Sequence, residues 1–320
     1  MTTDHAAKSR TITPARQLQA AFAAVRVSFT WLGVRKTLTA DQRAQAAEPF
    51  GAEQNYLSAA KKLLDTTDPR FRDVTGIRSR IVNYWKGMTL PYPEPGIRLI
   101  RQDQIQSFDN TIRDLAQQLD EAVGQLDDHY EALKAGAQER LGSLFNPGDY
   151  PPTLKGLFGC TWEFPSVEPP DYLRRLNPEL FEQERSRMTA RFDEAVRLGE
   201  EFFVAEFSKL VGHLVERISD TGPEGTRKVF RDSAVEGLKE FFERFKTLNV
   251  HSSAQLDELV KTAQKAVQGV APQDLRDSEA LRGQIAQQMS GVLSSLDGLL
   301  VDAPRRKLLR PAPPVRQAVA

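Results

Sequence analysis

Ile105-Gln-Ser-Phe-Asp-Asn-Thr-Ile-Arg-Asp-Leu-Ala-Gln-Gln-Leu-Asp-Glu-Ala-Val-Gly-Gln-Leu126 places Ile105, Phe108, Ile112, Leu115, Leu119, Ala122 and Leu126 at alternating steps of three and four, with Leu133 one heptad on. That alternation keeps an apolar seam on one side of a helix, the spacing at which two helices can hold each other along their lengths. It predicts a helix over 103–144, roughly 60 Å long at about 1.5 Å per residue. After Leu133 the steps move to Ala137, Leu141 and Leu144, which breaks heptad phase, and Asn146-Pro147-Gly148 ends the run.

Downstream, Asn177-Pro178-Glu179 is a strong helix start: a capping side chain, a proline in the first turn and an acid at the positive end of the dipole. Phe181, Met188, Phe192, Ala195, Phe202, Phe203, Leu210, Leu214 and Ile218 give that second run, to Ser219, an inward face. The two runs flank a proline-studded connection. The expected fold is mainly α: a long antiparallel, coiled-coil-like helical hairpin over 102–220 with its Pro-rich tip at 145–177. Shorter helices at about 228–248, 253–268 and 278–300 would form a C-terminal bundle on the hairpin within 226–303, the second opened by a Ser252/Gln255 capping box.

Upstream, 17–101 reads as a small α(+β) region behind a disordered lead, 1–16. Val25, Val27, Phe29 and Trp31 alternate with Arg26, Ser28 and Thr30, and Leu32-Gly33 separates them from Val34–Leu38, the pattern of a small β-hairpin. A helix from near Ala15 that gives way to strand fits the same residues. Helices are expected over 53–65 and 69–87, the second capped by Asp68 with Pro69 in its first turn. Leu90-Pro-Tyr-Pro-Glu-Pro-Gly96 must be extended, and Gly96–Ile100 can add a short strand to the N-terminal sheet.

Overall charge is zero but unevenly spread: residues 1–43 carry +5, residues 304–320 carry +5, and the body −10. Basic ends on an acidic body suit an anionic partner at the termini, or the body itself. With Cys160 as the only cysteine, no intramolecular disulfide and no Cys-rich zinc site is possible. No secretory leader or apolar run of about 20 residues is visible, so a cytoplasmic protein without a membrane span is expected.

The chemical motifs are few. No Walker loop and no Gly-x-Gly-x-x-Gly site occurs, so no nucleotide cofactor is expected. His5, His129, His213 and His251 are scattered; His129 and His213 could meet across the hairpin, although a solvated or core-edge histidine is commoner. Asp127-Asp128 and Glu200-Glu201 lack the Glu-x-x-His that carboxylate-bridged metal sites in bundles use. Cys160, without a nearby histidine, reads as a packed thiol. No catalytic, metal or small-molecule site is expected.

The connection interleaves Tyr150, Phe158, Trp162, Phe164 and Tyr172 with prolines and follows them with Arg174-Arg175. Trp162, Tyr172, Arg174 and Arg175 are therefore the candidate interaction surface, with aromatics buried to hold the loop down as the competing reading. Arg305, Arg306, Lys307 and Arg310, in the basic tail 304–320, are candidate anion contacts that could follow a nucleic-acid backbone.

Leu144-Phe-Asn-Pro-Gly-Asp-Tyr-Pro-Pro152, Trp162-Glu-Phe-Pro-Ser-Val-Glu-Pro-Pro-Asp-Tyr-Leu-Arg174 and Val270-Ala-Pro-Gln-Asp-Leu-Arg276 resemble an uncharacterised family of mostly helical bacterial and phage proteins, a domain of unknown function. The resemblance covers about residues 70–310. It implies a folded, non-enzymatic helical protein of bacterial chromosomes and mobile elements, in some cases encoded near AAA+ ATPase or recombination genes, and it carries over no catalytic residue. The expected function is a scaffold or adaptor that binds a protein partner or its own copy through the hairpin. The alternative is an accessory factor in DNA metabolism or mobile-element biology that touches nucleic acid through basic termini, alongside an AAA+ ATPase.

Overall fold

Thr13 opens the first described helix, α1 (Pro14–Ala21): its hydroxyl accepts the Arg16 N–H at 3.4 Å, with proline in the first turn. At Phe22 the helix gives way to β1 (Phe22–Trp31). The computed structural model describes residues 13–219 and 233–302, in two compact units that divide between Ala195 and Val196. Of the lead expected over 1–16, residues 1–12 lie outside the described residues while Thr13 to Arg16 cap and open α1, and the basic tail with Arg305, Arg306, Lys307 and Arg310 lies outside the described residues too.

β1 is not half of a local hairpin. Gly33 lies outside the left-handed region that a two-residue hairpin turn requires, and the chain beyond it leaves the strand. Its continuation, β2 (Arg35–Thr37), pairs antiparallel with β3 (Ala60–Lys62) in a separate two-stranded ribbon. β1 instead takes an interior place in an antiparallel sheet of order β4 (Thr89–Pro91), β5 (Ile97–Arg101), β1, β6 (Phe158–Glu163). Its first half pairs with β5, Ala24 opposite Leu99, and its second half with β6, Ser28 opposite Thr161.

The period-two pattern sorts the faces. Ala23, Val25, Val27, Phe29 and Trp31 join Ile100, Phe158, Cys160 and Trp162 in one core, covered by α3 (Pro69–Gly87) and α4 (Ile105–Asp128). On the other face Ala24 and Leu99 are buried, while Ser28, Thr30 and Thr161 are exposed.

The long hairpin expected from the apolar repeat is not formed. α4 stops at Asp128, and α5 (Tyr130–Leu141) restarts beyond His129. The seam of α4 meets α3 and the sheet: Phe108, Ile112, Leu119, Ala122 and Leu126 share a core with Phe71, Val74 and Ile81, and the rings of Phe108 and Tyr84 stack at 5.6 Å. Steps of three and four describe any amphipathic helix face, and only a narrow two-residue seam marks a coiled coil. Here Val123 is buried beside Ala122 while Ile105 and Leu115 are only half-buried, the broad stripe of a helix lying on a sheet and a neighbour.

Two further expectations change. Residues 53–65 form no α-helix; the connection from β2 to β3 holds α2 (Ala40–Ala47) and two 3-10 turns, Glu48–Phe50 and Gln54–Tyr56. The connection 145–177 is not a hairpin tip, since it supplies β6 and the short helix α6 (Asp171–Leu176). α3 does start as its sequence requires, Asp68 accepting the Arg70 N–H at 2.9 Å ahead of Pro69.

α7 (Pro178–Ile218) is capped by Asn177, whose side chain accepts the Leu180 N–H at 3.0 Å. Its first part belongs to the first unit, where Phe192 meets Tyr92 edge-on at 5.7 Å and Arg191 faces Glu94 at 3.5 Å. Its remainder joins α8 (Ser233–Leu248), α9 (Ala254–Val267), α10 (Pro272–Asp277) and α11 (Glu279–Asp302) in the second unit. There Phe203 and Phe207 meet Phe241, Phe242 and Phe245, with Phe207 and Phe241 stacked at 4.9 Å. The cap of α9 is Ser253 rather than Ser252, accepting the Leu256 N–H at 3.3 Å. Among the described residues no helix is long and apolar enough to cross a membrane.

Candidate interaction surface

The aromatics of the 145–177 connection divide in two. Phe158 and Tyr150 are buried, and Trp162 is half-buried on β6 with its indole N–H donating to Asp109 of α4 at 2.8 Å. These rings hold the connection down. Tyr172 is 56 % exposed, one helical turn from Leu176 at 77 %. Arg174 lays its guanidinium over the Phe181 ring at 4.8 Å and faces Asp171 at 3.6 Å, while Arg175 is exposed. Tyr172, Arg174 and Arg175 thus share α6, whereas Trp162 is tied to another element. Cys160 is half-buried, and burial followed by the Asp120 charge pushes its thiol up to about 11, so little thiolate exists near neutrality.

The string Leu144–Pro152 is a clasp. Asn146 accepts the Gly148 N–H at 2.9 Å and shapes a 3-10 turn that delivers Asp149. Asp149, its side chain only 2 % exposed, receives Lys36 of β2 at 2.5 Å and Lys61 of β3 at 2.6 Å. Lys61 is buried too and also donates to the Leu144 carbonyl at 2.6 Å. Hydrogen bonds from the two lysines hold the Asp149 carboxyl below the usual carboxylate range. Just past Pro152, Asp127 accepts the Thr153 hydroxyl and the Leu154 N–H, the latter at 2.6 Å. Tyr150 stacks on Phe145 at 5.0 Å, and burial, with the Tyr150, Glu131 and Asp127 charges adding, pushes the Tyr130 hydroxyl up to about 12.

The clasp ties down the ribbon whose connection carries the barest large apolar side chains among the described residues. In the β2–β3 connection Phe50 is 82 % exposed and Tyr56 87 %. Each ends a hydrogen-bonded 3-10 turn, the Gly51 N–H donating to the Glu48 carbonyl and the Tyr56 N–H to the Glu53 carbonyl, both at 3.0 Å. Thr39 and Gln42 form a reciprocal capping box at the start of α2, Ala47 is buried, and Gly51 takes φ 59° to turn the chain after Phe50. A helical reading of 53–65 hides Tyr56, and Phe50 lies just ahead of it. The available signal was a pair of lone aromatics among Pro49, Gly51 and Asn55, without any apolar period.

Beside the ribbon lies an open cleft of about 500 Å³ between residues 62–68 and α5, with Leu63, Leu133 and Ala137 in its apolar lining and Lys62, Asp65, His129 and Arg140 in its polar lining. Asp65 is held well below the usual carboxylate range by the Thr67 hydroxyl and N–H, then by Arg140 at 2.6 Å. His213 accepts from Arg217 at 3.4 Å within α7. Among the described residues no group of three His, Cys, Asp or Glu side chains could hold a metal ion. Comparison of the chain with family models, with curated proteins and with solved structures gives no match.

Proposed function

We propose that the protein is a non-enzymatic interaction module, a scaffold or adaptor, that docks a protein partner through the β2–β3 connection. The carrying observation is Phe50 and Tyr56, almost fully exposed yet on the connection of a ribbon anchored through the buried Lys61–Asp149 pair and the more exposed Lys36. Large aromatics supply much of the energy of protein interfaces, and presenting them on an ordered segment lowers the entropy lost on docking. The exposed Tyr172 and Leu176 of α6 offer a second, smaller contact with the flanking Arg174 and Arg175.

The test is quantitative affinity purification with the wild-type chain, a Phe50→Ser/Tyr56→Ser variant and a Tyr172→Ser/Leu176→Ser variant, each first shown to be folded by circular dichroism. The expected outcome is at least one protein depleted about tenfold with the Phe50/Tyr56 variant, matching the loss of two interface anchors. An identical set of captured proteins from all three chains would refute the reading. Light scattering separates the homo-oligomeric form, which predicts a dimer that the same substitutions dissociate.

A further inference from the structure

The β2–β3 ribbon contains two like-charge pairs placed directly across from each other, Lys36 opposite Lys61 and Arg35 opposite Lys62. Directly opposed like charges destabilise a strand pair. The structure neutralises only one of them. Lys36 and Lys61 share the buried Asp149 carboxylate, whereas Arg35 and Lys62 are exposed and have no acidic partner among the described residues. The geometry worsens that second repulsion. The Leu63 N–H donates to the Val34 carbonyl at 2.8 Å and the Leu38 N–H to the Ala59 carbonyl at 3.1 Å. Antiparallel pairs alternate, so Arg35 and Lys62 fall at a non-hydrogen-bonded position, where side chains stand closest.

The same alternation turns the backbone N–H and C=O groups of Ala60 and Lys62 away from β2. The ribbon has no third strand among the described residues, so β3 presents a free edge. That edge borders the 500 Å³ cleft to which Lys62, Leu63, Leu64, Leu133 and Ala137 contribute. A free edge, a bare cationic pair beside it and an adjoining cleft of mixed lining, with Leu63, Leu133 and Ala137 as its apolar part and Asp65 already paired with Arg140, are the parts of a strand-addition site.

We infer that the β3 edge docks an extended acidic segment of a partner protein, in which acidic and apolar residues alternate. Its main chain pairs with Ala60 and Lys62. Its carboxylates, on the face shared with Lys62 and Arg35, supply the charge that the ribbon lacks. Its apolar side chains, on the opposite face, enter the cleft against α5. Nucleic acid meets the charge but offers no strand to the edge. The inference rests on the interaction-module reading and names a partner chemistry for it, at residues other than Phe50 and Tyr56.

The probe is a fluorescein-labelled decapeptide of alternating glutamate and valine, titrated by fluorescence anisotropy against the full chain. Its controls are an alternating lysine–valine peptide, the glutamate peptide methylated at every backbone nitrogen, and labelled oligothymidylate. The expected result is saturable binding of the glutamate peptide alone, about tenfold weaker with Arg35→Glu or Lys62→Glu. An Arg35→Glu/Lys62→Glu chain should bind the lysine peptide instead. Lys62→Ala provides the same reading without a reversed charge. No binding, binding indifferent to methylation or to charge reversal, or preference for oligothymidylate would each overturn the inference. Phe50→Ser/Tyr56→Ser should leave peptide binding unchanged, so failure here and failure of the partner-capture experiment can be told apart.

Discussion

The two units are held together by different means. In the first, irregular segments are tied into place by polar groups far apart in sequence: Asp149 with Lys36 and Lys61, Asp127 with Thr153 and Leu154, Asp109 with Trp162, Asp65 with Arg140. The second has a distant polar tie as well, Arg244 with Glu206, but its core is joined by rings, Phe203 and Phe207 against Phe241, Phe242 and Phe245, with ring centroids 4.9–6.2 Å apart. Polar ties specify where an aperiodic segment must sit, because each donor needs one acceptor. Packed rings reward burial but specify position loosely. The first unit therefore carries the ordered loops and bare side chains suited to recognition.

The comparison breaks most sharply at Asp149. Asp149→Ala leaves Lys61, only 5 % exposed, as an uncompensated buried charge, for which the expected loss is about 3–5 kcal/mol. Hydrogen exchange read peptide by peptide should rise across 34–38, 59–64 and 144–154, with the second unit unchanged. Lys61→Met/Asp149→Leu should recover most of the loss, since a buried pair replaced by packed apolar groups is often neutral. If the single substitution costs under about 1 kcal/mol, the clasp does not hold the ribbon.

Phe241→Ala makes the matching break in the second unit. Phe241 is 1 % exposed and touches four other rings, and truncation should cost about 3 kcal/mol, toward the low end for phenylalanine because its neighbours can close on the cavity. Exchange should rise along α8 and the later part of α7 only. Equal loosening of both units by either substitution would remove the distinction.

The same contrast explains what could be read in the sequence. Helix starts at Asp68-Pro69 and Asn177-Pro178 were legible because a cap is a local device. So was the alternation of Val25 to Trp31, and so were the apolar faces of α8, α9 and α11. What covers a face was not legible. The repeat from Ile105 to Leu126 has the same spacing whether it meets a helix of equal length or, as here, α3 and a sheet. The ribbon was hidden because Lys61 is buried against Asp149 and the Leu144 carbonyl, 88 and 83 residues away, and no periodicity records those pairings. Among the candidate site residues, Tyr172, Arg174 and Arg175 fall together on α6, and Trp162 is spent on Asp109. Phe50 and Tyr56 were missed because their exposure depends on the ribbon.

Acid should separate the units with a smaller effect. The folded Asp149 carboxyl lies below its ordinary value, held by Lys36 and then Lys61. A depressed carboxyl contributes stability that is present in full above the ordinary aspartate value of about 3.9 and is lost as pH falls through the folded value. Protection from exchange over 34–38 and 59–64, relative to the unfolded chain at the same pH, should therefore fall as pH drops below about 4, before that of α8 and α9. In Lys61→Met/Asp149→Leu that acid-specific loss of protection should disappear, and its persistence would place the sensitivity elsewhere.

The smallest expected effect is the one in which the units should agree. Asp68 caps α3 in the first unit through the Arg70 N–H at 2.9 Å, and Ser253 caps α9 in the second through the Leu256 N–H at 3.3 Å. Each is a local bond to a helix's first turn, so Asp68→Ala and Ser253→Ala should each cost about 1 kcal/mol, measured by denaturant unfolding at neutral pH. Equal costs would show that the units differ in their long-range ties and not in the strength of every polar contact. A loss of several kcal/mol at Asp68 alone would mean that this cap, beside Asp65 and Thr67 on the cleft wall, also works through the non-local network that Asp149 anchors, and the contrast would then extend down to the first turn of a helix.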